Sequence, residues 1–235
     1  MNKSLSVVVP AYNEEGNLNN AINGIIGSLE GKVADYEIIV VNDGSADHTR
    51  EIAEAQAKQN PQIRIFSHDR NMGQGTALST GYAQCRKDYV TYMPADGQVN
   101  PGELVGMLKD TEDADIVITF RSSRADYSLF RLISSFTYTV LNRILFGLKY
   151  KDINWVHMYD RRIFEKIKIG STGVFFLGEI LAKAQRLGYT IKEIPSNYYQ
   201  RKSGKAKGGK PRSVFTAVKE MFSLWWKMKI LQEER

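Results

Sequence analysis

One pattern occurs three times in the first hundred residues, in Val7-Val8-Val9-Pro10-Ala11-Tyr12-Asn13-Glu14, in Ile38-Ile39-Val40-Val41-Asn42-Asp43-Gly44-Ser45 and in Tyr89-Val90-Thr91-Tyr92-Met93-Pro94-Ala95-Asp96-Gly97-Gln98. Each time, a run of apolar residues leads into a turn that carries carboxylate or amide side chains. Strands of a parallel sheet are buried on both faces and read as continuous apolar runs. Ligands of such sheets bind beyond the carboxyl ends of the strands. The three turns are therefore expected to meet in one cleft.

The remaining sequence up to residue 120 alternates predicted strands and helices. We predict strands at 5–10, 36–42, 63–66, 89–93 and 115–120, and helices at 15–29, 49–59, 73–86 and 101–110. This alternation predicts right-handed crossovers and an α/β fold with a mostly parallel central sheet. Beyond residue 121 the pattern becomes α+β. It predicts a long helix at 129–146, a strand or loop at 152–159, short helices at 161–167 and 175–187, a strand pair near 190–200 and a final helix at 213–231.

Composition limits the classes of protein that fit. The formal net charge is +6, and the segment from Arg201 to Arg235 has ten basic and three acidic residues, so it carries all of the excess. Nucleic acid, anionic lipid and a substrate phosphate are all partners that such a charge suits. A cluster of carboxylate and amide oxygens on an otherwise basic protein suits a divalent cation that carries an anionic nucleotide. We therefore expect a nucleotide-using enzyme.

Location is predicted from three absences in the sequence. No apolar stretch reaches roughly 18 uncharged residues, so no membrane span is expected. The single cysteine, Cys85, excludes an intramolecular disulfide, and no charged-then-apolar leader follows Met1. These features predict a cytoplasmic protein, peripheral on the inner face of the cytoplasmic membrane if its tail binds lipid.

A fourth segment, Asn71-Met72-Gly73-Gln74-Gly75-Thr76-Ala77, lies between the second and third acidic turns. Its glycines let the backbone approach a ligand, and it opens a helix whose N-terminus favours phosphate. In this order, the four segments resemble family 2 glycosyltransferases of the GT-A fold, a Rossmann-like architecture. The resemblance covers most of the chain, is strongest over residues 4–100, and is closest to the dolichyl-phosphate and other polyprenyl-phosphate glycosyltransferases.

That resemblance implies that residues 1–235 form one GT-A domain with three functional parts. Residues 1–120 would be the nucleotide-sugar-binding half, 121–212 the acceptor-side half, with α+β structure, and 213–235 an amphipathic tail helix. It implies an inverting hexosyltransferase of the cell envelope that moves a sugar from a UDP or GDP donor to a polyprenyl phosphate. The residues that it assigns to nucleotide binding are Pro10, Tyr12, Glu14, Asp43, Asn71, Gly75 and Asp96.

A metal site is implied at the third acidic turn. The family ends the corresponding strand in Asp-x-Asp, which holds Mg²⁺ or Mn²⁺ against the donor diphosphate. Here Pro94 replaces the first aspartate, and the resemblance leaves Asp96 and Gln98 as the metal ligands. Two protein oxygens, two diphosphate oxygens and water complete an octahedron. One anionic ligand fewer predicts a weaker metal site.

An acceptor site is implied by basic residues in the second half. The resemblance assigns Arg121, Arg131, Ser134, Arg201 and Lys207 to the acceptor phosphate, and it makes Asp96, Arg121, Arg131 and Arg201 the catalytic set. Arginine suits this role because its planar guanidinium donates two parallel hydrogen bonds to phosphate oxygens. A solvated, salt-bridged surface is the alternative for these arginines. The loop at 201–208 is expected to be mobile or to close over phosphates.

The final predicted helix places Trp225 and Trp226 beside Lys227 and Lys229. Tryptophan next to lysine is typical of a helix that lies in a membrane interface. Packing on the catalytic domain or on a second subunit explains the pattern equally well, and the sequence does not fix the oligomeric state.

Two other functions remain open at this point. The first is transfer to a sugar hydroxyl, which needs a carboxylate base; Asp126, Asp152 and Glu179 are the candidates. His157 is expected to be a packed or half-exposed side chain rather than that base. The second is a non-catalytic subunit that binds sugar nucleotides, suggested by Pro94. A nucleic-acid partner is disfavoured because no aromatic stacking platform accompanies the basic loop.

Overall fold

The computed structural model describes residues 2–124, 127–200 and 211–231. The strands are β1 (Ser4–Ala11), β2 (Asp35–Asn42), β3 (Ile63–Ser67), β4 (Tyr89–Tyr92), β5 (Ile116–Arg121), β6 (His157–Asp160) and β7 (Ile191–Ser196). The helices are α1 (Leu18–Leu29), α2 (Thr49–Gln59), α3 (Gln74–Ala83), α4 (Glu103–Asp110), α5 (Leu129–Phe146), α6 (Ile163–Lys166), α7 (Phe176–Arg186) and α8 (Pro211–Lys229). The predicted α/β class is confirmed.

The described strands form one seven-stranded sheet in the order β3-β2-β1-β4-β6-β5-β7. The pairs β1–β2, β1–β4, β2–β3 and β5–β7 are parallel. Strand β6 runs antiparallel to both of its neighbours, β4 and β5. Since β6 and β7 come from the second half of the chain, the sheet spans the boundary at residue 120.

The apolar runs of the sequence become the centre of this sheet. Val7, Val8 and Val9 of β1 are fully buried, as are Ile38 and the residues that follow it in β2. Helix α3 lies directly on β1, where a Cβ at Gly81 would come within 2.3 Å of a Val8 methyl group. This glycine therefore sets how closely the helix packs on the strand.

Helix α5 has sequence-coded ends. Ser128 caps its start, and the Ser128 Oγ accepts a hydrogen bond from the backbone N–H of Arg131 at 3.3 Å. Gly147 ends it with a φ of 72°, the left-handed conformation that favours glycine. The predicted bounds of α2 and α5 are confirmed.

The strand pair predicted near 190–200 is wrong, since β7 is the one strand there. After Ser196 the chain turns back toward the C-terminal end of β4. The backbone N–H of Asn197 donates to the Glu103 carboxylate at 3.0 Å, and that of Tyr199 donates to the Gln98 carbonyl at 3.0 Å. These bonds to the β4–α4 connection replace a second strand.

Helices α5 and α8 expose apolar side chains, but neither helix is a candidate membrane span. Within the described residues, the structure has no helix that is both long and apolar enough to cross a bilayer. The predicted loop at 201–208 lies outside the described residues. Helix α8 begins at Pro211, two residues before its predicted start.

Candidate active site

A cavity of about 260 Å³ lies at the C-terminal edge of the sheet. Asp96 and Gln98 line it from the turn after β4, and Arg121 lines it from the end of β5. Arg131 and Ser134 line it from α5, and the beginning of α8 closes another side. The cavity therefore brings the predicted metal ligands together with three of the five predicted acceptor residues.

The turn that carries Asp96 and Gln98 is tightly fixed. The Met93 N–H donates to the Val8 carbonyl at 2.8 Å, which ties the turn to β1. Gly97 has a φ of 73°, and the Gln98 N–H donates to Asp96 Oδ1 at 3.1 Å. Both side chains are about nine-tenths buried. The turn is thus held by its bond to β1 and by the hydrogen bond from the Gln98 N–H to the Asp96 side chain.

These two side chains fit a cation only in part. A carboxylate and a carboxamide two residues apart supply oxygen ligands that Mg²⁺ and Mn²⁺ accept. The described residues contain no group of three or more His, Cys, Asp or Glu side chains able to hold a metal. The chemistry of this donor set therefore fits a cation that brings further oxygens with it, as a nucleotide diphosphate complex does.

Asp43 was expected to line the base and ribose pocket, but its carboxylate binds the protein. It accepts hydrogen bonds from the backbone N–H groups of Met72 and Gly73 at 2.8 and 2.9 Å, and it lies 2.8 Å from His68 Nδ1. The side chain is almost fully buried. Asp43 therefore holds the glycine-rich segment in place, and Gln74, the next residue, reaches the cavity.

Gly75 also contacts protein rather than open space. A Cβ at this position would lie 2.4 Å from the Thr172 carbonyl oxygen. The absence of a side chain lets the start of α3 touch the 172–173 segment, and Val174 beyond it lines the cavity. The glycine that was predicted for close approach to a ligand is needed for close approach of two backbones.

Of the seven predicted nucleotide-binding residues, Asp96 alone lines this cavity. Glu14 is buried and accepts a hydrogen bond from Asn17 Nδ2 at 2.7 Å, while its N–H donates to Thr49 Oγ1 at 2.8 Å. Asn71 is exposed, and Pro10 and Tyr12 are half-buried at the end of β1. These residues share the sheet edge with the cavity, and their role in binding a nucleotide stays a prediction.

Arg121 has most of its donors occupied by protein groups. Its Nε donates to one oxygen of Asp152 at 2.6 Å, and its Nη2 donates to the other at 2.8 Å. Nη2 also donates to the Asn154 carbonyl, and Nη1 donates to the Tyr127 hydroxyl. The guanidinium also lies 4.6 Å from the centre of the Trp155 ring. Asp152 thus takes the two-bond geometry that was expected for an acceptor phosphate, and a contact of Arg121 with that phosphate stays a prediction.

Asp152 serves two arginines, since Arg124 Nη2 lies 3.1 Å from its Oδ2. Burial alone would raise the pKa of the Asp152 carboxyl, but hydrogen bonds from Arg121 and the positive charges of both arginines outweigh it and hold the pKa below its usual value. A carboxylate that is paired twice and has a lowered pKa is a poor general base. The structure therefore assigns Asp152 to orienting arginines.

Arg131 differs from Arg121. Its guanidinium lies over the Tyr127 ring at 3.7 Å, and no salt bridge joins it to any acidic residue within the described ranges. It is half-exposed at the cavity, one helical turn before Ser134. Of the two arginines, Arg131 is the one with donors available to an anion.

Two other predicted candidates lie in the interior. Glu179 is buried, pairs with Lys183 at 2.8 Å and accepts hydrogen bonds from the N–H groups of Gly170 and Ser171. It is not among the residues that line this cavity, which disfavours it as an acceptor-side base. His157 is fully buried, with Nδ1 2.8 Å from the Tyr159 hydroxyl, and burial lowers its pKa to about 3. Its predicted packed state is confirmed.

Several cavity residues were not predicted from the sequence. These residues that line the cavity are Gln74, Tyr92, Tyr127 and Trp155. The signal that could have found Trp155 is its place three residues after Asp152 in a segment already singled out. Arg201, Lys207 and Asp126 lie outside the described residues, although Ser213 and Val214, just after the first two, line the cavity.

Known proteins with a similar sequence or fold were compared with this chain. The profile of glycosyl transferase family 2 matches residues 6–168. A glycosyltransferase of Haloferax volcanii named AglD is 28% identical over 236 residues, which cover 96% of this chain and 38% of that protein. A dolichyl-phosphate beta-glucosyltransferase of Trichomonas vaginalis is 31% identical over 222 residues, 86% of this chain and 68% of the relative. This chain thus spans about two fifths of the length of the Haloferax protein.

A solved structure agrees with the fold. The glucosyl-3-phosphoglycerate synthase of Mycobacterium tuberculosis, crystallised with Mn²⁺, UDP-glucose and phosphoglyceric acid, superposes with a TM-score of 0.72 at 22% identity. The superposition covers 95% of this chain and 80% of the other. Since the family profile covers more than half of the sequence, the chain belongs to glycosyl transferase family 2.

Proposed function

We propose that this protein is an inverting glycosyltransferase that moves a sugar from a UDP- or GDP-sugar to a polyprenyl phosphate. One observation carries the proposal: a single cavity is lined by Asp96 and Gln98 and also by Arg131 and Ser134. The first pair suits a cation-bound diphosphate, and the second suits a phosphate monoester. The name of the Trichomonas relative supports a lipid-linked phosphate as acceptor.

The proposed reaction is a direct displacement. A phosphate oxygen of the acceptor forms a bond to C1 of the sugar, while the bond between C1 and the donor diphosphate breaks. The nucleoside diphosphate leaves with the bonding electron pair, and the configuration at C1 inverts. Because the acceptor phosphate is already ionised near neutral pH, the reaction needs no strong general base. Positioning by Arg131 and Ser134 would supply much of the rate enhancement.

A divalent cation, Mg²⁺ or Mn²⁺, is part of the proposal. Asp96 and Gln98 would hold it, and it would neutralise the charge that develops on the leaving diphosphate. Two carboxylates line the cavity, and the other one, Asp152, is paired with Arg121 and Arg124.

Transfer to a sugar hydroxyl is the less favoured alternative. It requires a carboxylate base near the acceptor oxygen, and two of its three candidates, Asp152 and Glu179, are buried in ion pairs. The third, Asp126, lies outside the described residues. The arginine-lined side of the cavity favours an acceptor that is already an anion.

Membrane contact through α8 is also part of the proposal. Phe215, Phe222 and Trp226 are each about half or more exposed and recur at helical spacing on α8. Helix α5 packs beside it and exposes Ile133 and Phe136. Exposed apolar side chains on two neighbouring helices, on a chain with a basic C-terminal segment, suit an anionic lipid surface.

The test is a transfer assay with UDP- and GDP-sugars, Mn²⁺ or Mg²⁺, and either a polyprenyl phosphate or the matching polyprenol. We expect transfer to the phosphate and none to the alcohol, and Asp96→Ala should abolish metal-dependent turnover. Transfer to the alcohol would favour a hydroxyl acceptor. Nucleotide binding without turnover or donor hydrolysis, in wild type and Asp96→Ala alike, would favour a non-catalytic subunit instead.

A further inference from the structure

The Gln98 carboxamide has two arms, an oxygen that can bind a cation and an NH₂ group that cannot. Rotation by 180° about the last side-chain bond exchanges them. A metal site that relies on this amide needs something that selects one orientation. Because Pro94 stands where a carboxylate would otherwise add a ligand, the orientation of Gln98 matters more here.

Tyr198 makes the contact that selects it. Gln98 Nε2 donates to the Tyr198 hydroxyl oxygen at 2.6 Å. This bond turns the NH₂ arm toward the tyrosine and leaves the oxygen arm for the cavity that Gln98 lines. Groups that hydrogen-bond to metal ligands commonly fix ligand orientation in this way.

Tyr198 is itself fixed on several sides. Its ring centre lies 5.8 Å from that of Trp155 and 6.3 Å from that of Tyr127, the latter edge-to-face. The next residue, Tyr199, donates its N–H to the Gln98 carbonyl at 3.0 Å. The hydroxyl is therefore held against Gln98 by packing and by backbone, and its position does not depend on a ligand.

We propose that Tyr198 is a positioning residue for the cation site, which orients the Gln98 carboxamide so that its oxygen faces the metal. The inference rests on the proposed function, because it assumes that Asp96 and Gln98 bind a cation with the nucleotide. It extends that function to a residue a hundred positions away in sequence, on the segment that follows β7.

The test is the Mn²⁺ concentration that gives half of the nucleotide-induced rise in melting temperature, measured with UDP or GDP, whichever stabilises the wild type. Tyr198→Phe keeps the ring and removes one oxygen. We expect the half-maximal Mn²⁺ concentration to rise about tenfold, with no change in melting temperature without ligands. Tyr199→Phe is the matched control, since that side chain is exposed, and it should leave the value unchanged.

The same substitution made in a Gln98→Glu variant separates orientation of the amide from other roles of the Tyr198 hydroxyl. In Gln98→Glu both arms are oxygens, so the tenfold effect of Tyr198→Phe should disappear there. An equal rise in both backgrounds, or no rise in the first, would overturn the inference while metal-dependent nucleotide binding of the wild type stands. If the wild type shows no metal-dependent stabilisation by either nucleotide, the proposed metal site fails and this inference fails with it.

Discussion

At the scale of single residues, two arginines that look alike in the sequence are predicted to do different work. Arg121 is buried with Asp152, with side-chain exposures of 7% and 3%, whereas Arg131 is half-exposed beside Tyr127. The sequence placed both at an acceptor phosphate through its resemblance to the polyprenyl-phosphate glycosyltransferases. It could not distinguish them, because the partner of Arg121 lies thirty-one residues further along the chain.

Arg131→Ala tests the exposed arginine. We expect the KM for the phosphorylated acceptor to rise about ten- to a hundredfold, since a hydrogen bond to a charged group contributes about 1.5 to 3 kcal/mol. The KM for the donor and the melting temperature should stay close to wild type. Steady-state kinetics with each substrate varied in turn measure this. Arg143→Ala, on the exposed last turn of the same helix, is the control, and equal losses for donor and acceptor would contradict the assignment.

Asp152→Ala tests the buried pair. Removing one partner leaves the Arg121 guanidinium buried without its counter-charge, and such changes typically cost about 3 to 5 kcal/mol in the free energy of unfolding. Urea denaturation measures the loss. Asp35→Ala removes a carboxylate that is half-exposed and paired with Lys87, and it should cost less than about 1 kcal/mol. Similar losses in the two variants would show that the Asp152 pair is not a structural one.

At the scale of elements, the helices α5 and α8 have both a buried and an exposed apolar side. Ala217, Met221 and Leu224 of α8 are buried in the core, whereas Phe222 and Trp226 are exposed. The helix therefore packs on the domain and still presents apolar side chains outward. The sequence offered core packing and membrane contact as alternatives; the structure shows that some residues of α8 pack in the core, and membrane contact of the exposed ones stays a proposal.

The double substitution Phe222→Ser and Trp226→Ser tests the exposed side. We expect it to reduce co-flotation with vesicles that contain anionic lipid, because apolar insertion and electrostatic attraction act together at such a surface. Leu187→Ser changes an exposed leucine outside α5 and α8 and should leave flotation unchanged. Undiminished flotation of the double variant, together with less self-association, would indicate a contact between subunits.

At the scale of the whole molecule, one buried residue couples stability to pH. His157 lies in β6, an interior strand of the sheet, and burial lowers its pKa from about 6.5 to about 3. Between these values the unfolded chain takes up a proton that the folded protein excludes. The contribution of neutral His157 to the free energy of unfolding is therefore fully present above pH 6.5. It falls by about 1.4 kcal/mol per pH unit as the pH drops toward 3.

His157→Gln tests this coupling, since glutamine does not titrate. Between pH 7.5 and pH 5, the wild type should lose about 2 kcal/mol more free energy of unfolding than the variant does. Urea denaturation at the two pH values gives the difference. His48→Gln changes an exposed histidine and should retain the wild-type loss, while parallel pH profiles of wild type and His157→Gln would refute the coupling.

The sequence by itself determined the parallel part of the sheet and the edge at which the site forms. Continuous apolar runs such as those before Asn42 and Asp96 can be buried only between layers of helices, and parallel strands bring their acidic turns to one edge. Local signals also fixed α5, through Ser128 and Gly147. These features depend on residues that are close in sequence, so they could be read directly.

Only the tertiary structure decided which side chains face the cavity and which hold the protein together. Asp43, Gly75 and Asp152 carry the residue types of a binding site, yet their partners are Met72 and Gly73, Thr172, and Arg121. Likewise, no residue close to Gln98 in the sequence indicates that Tyr198 is its hydrogen-bond partner. A hydrogen bond or an ion pair is set by distance in space, and the sequence gives that distance only once the chain has folded.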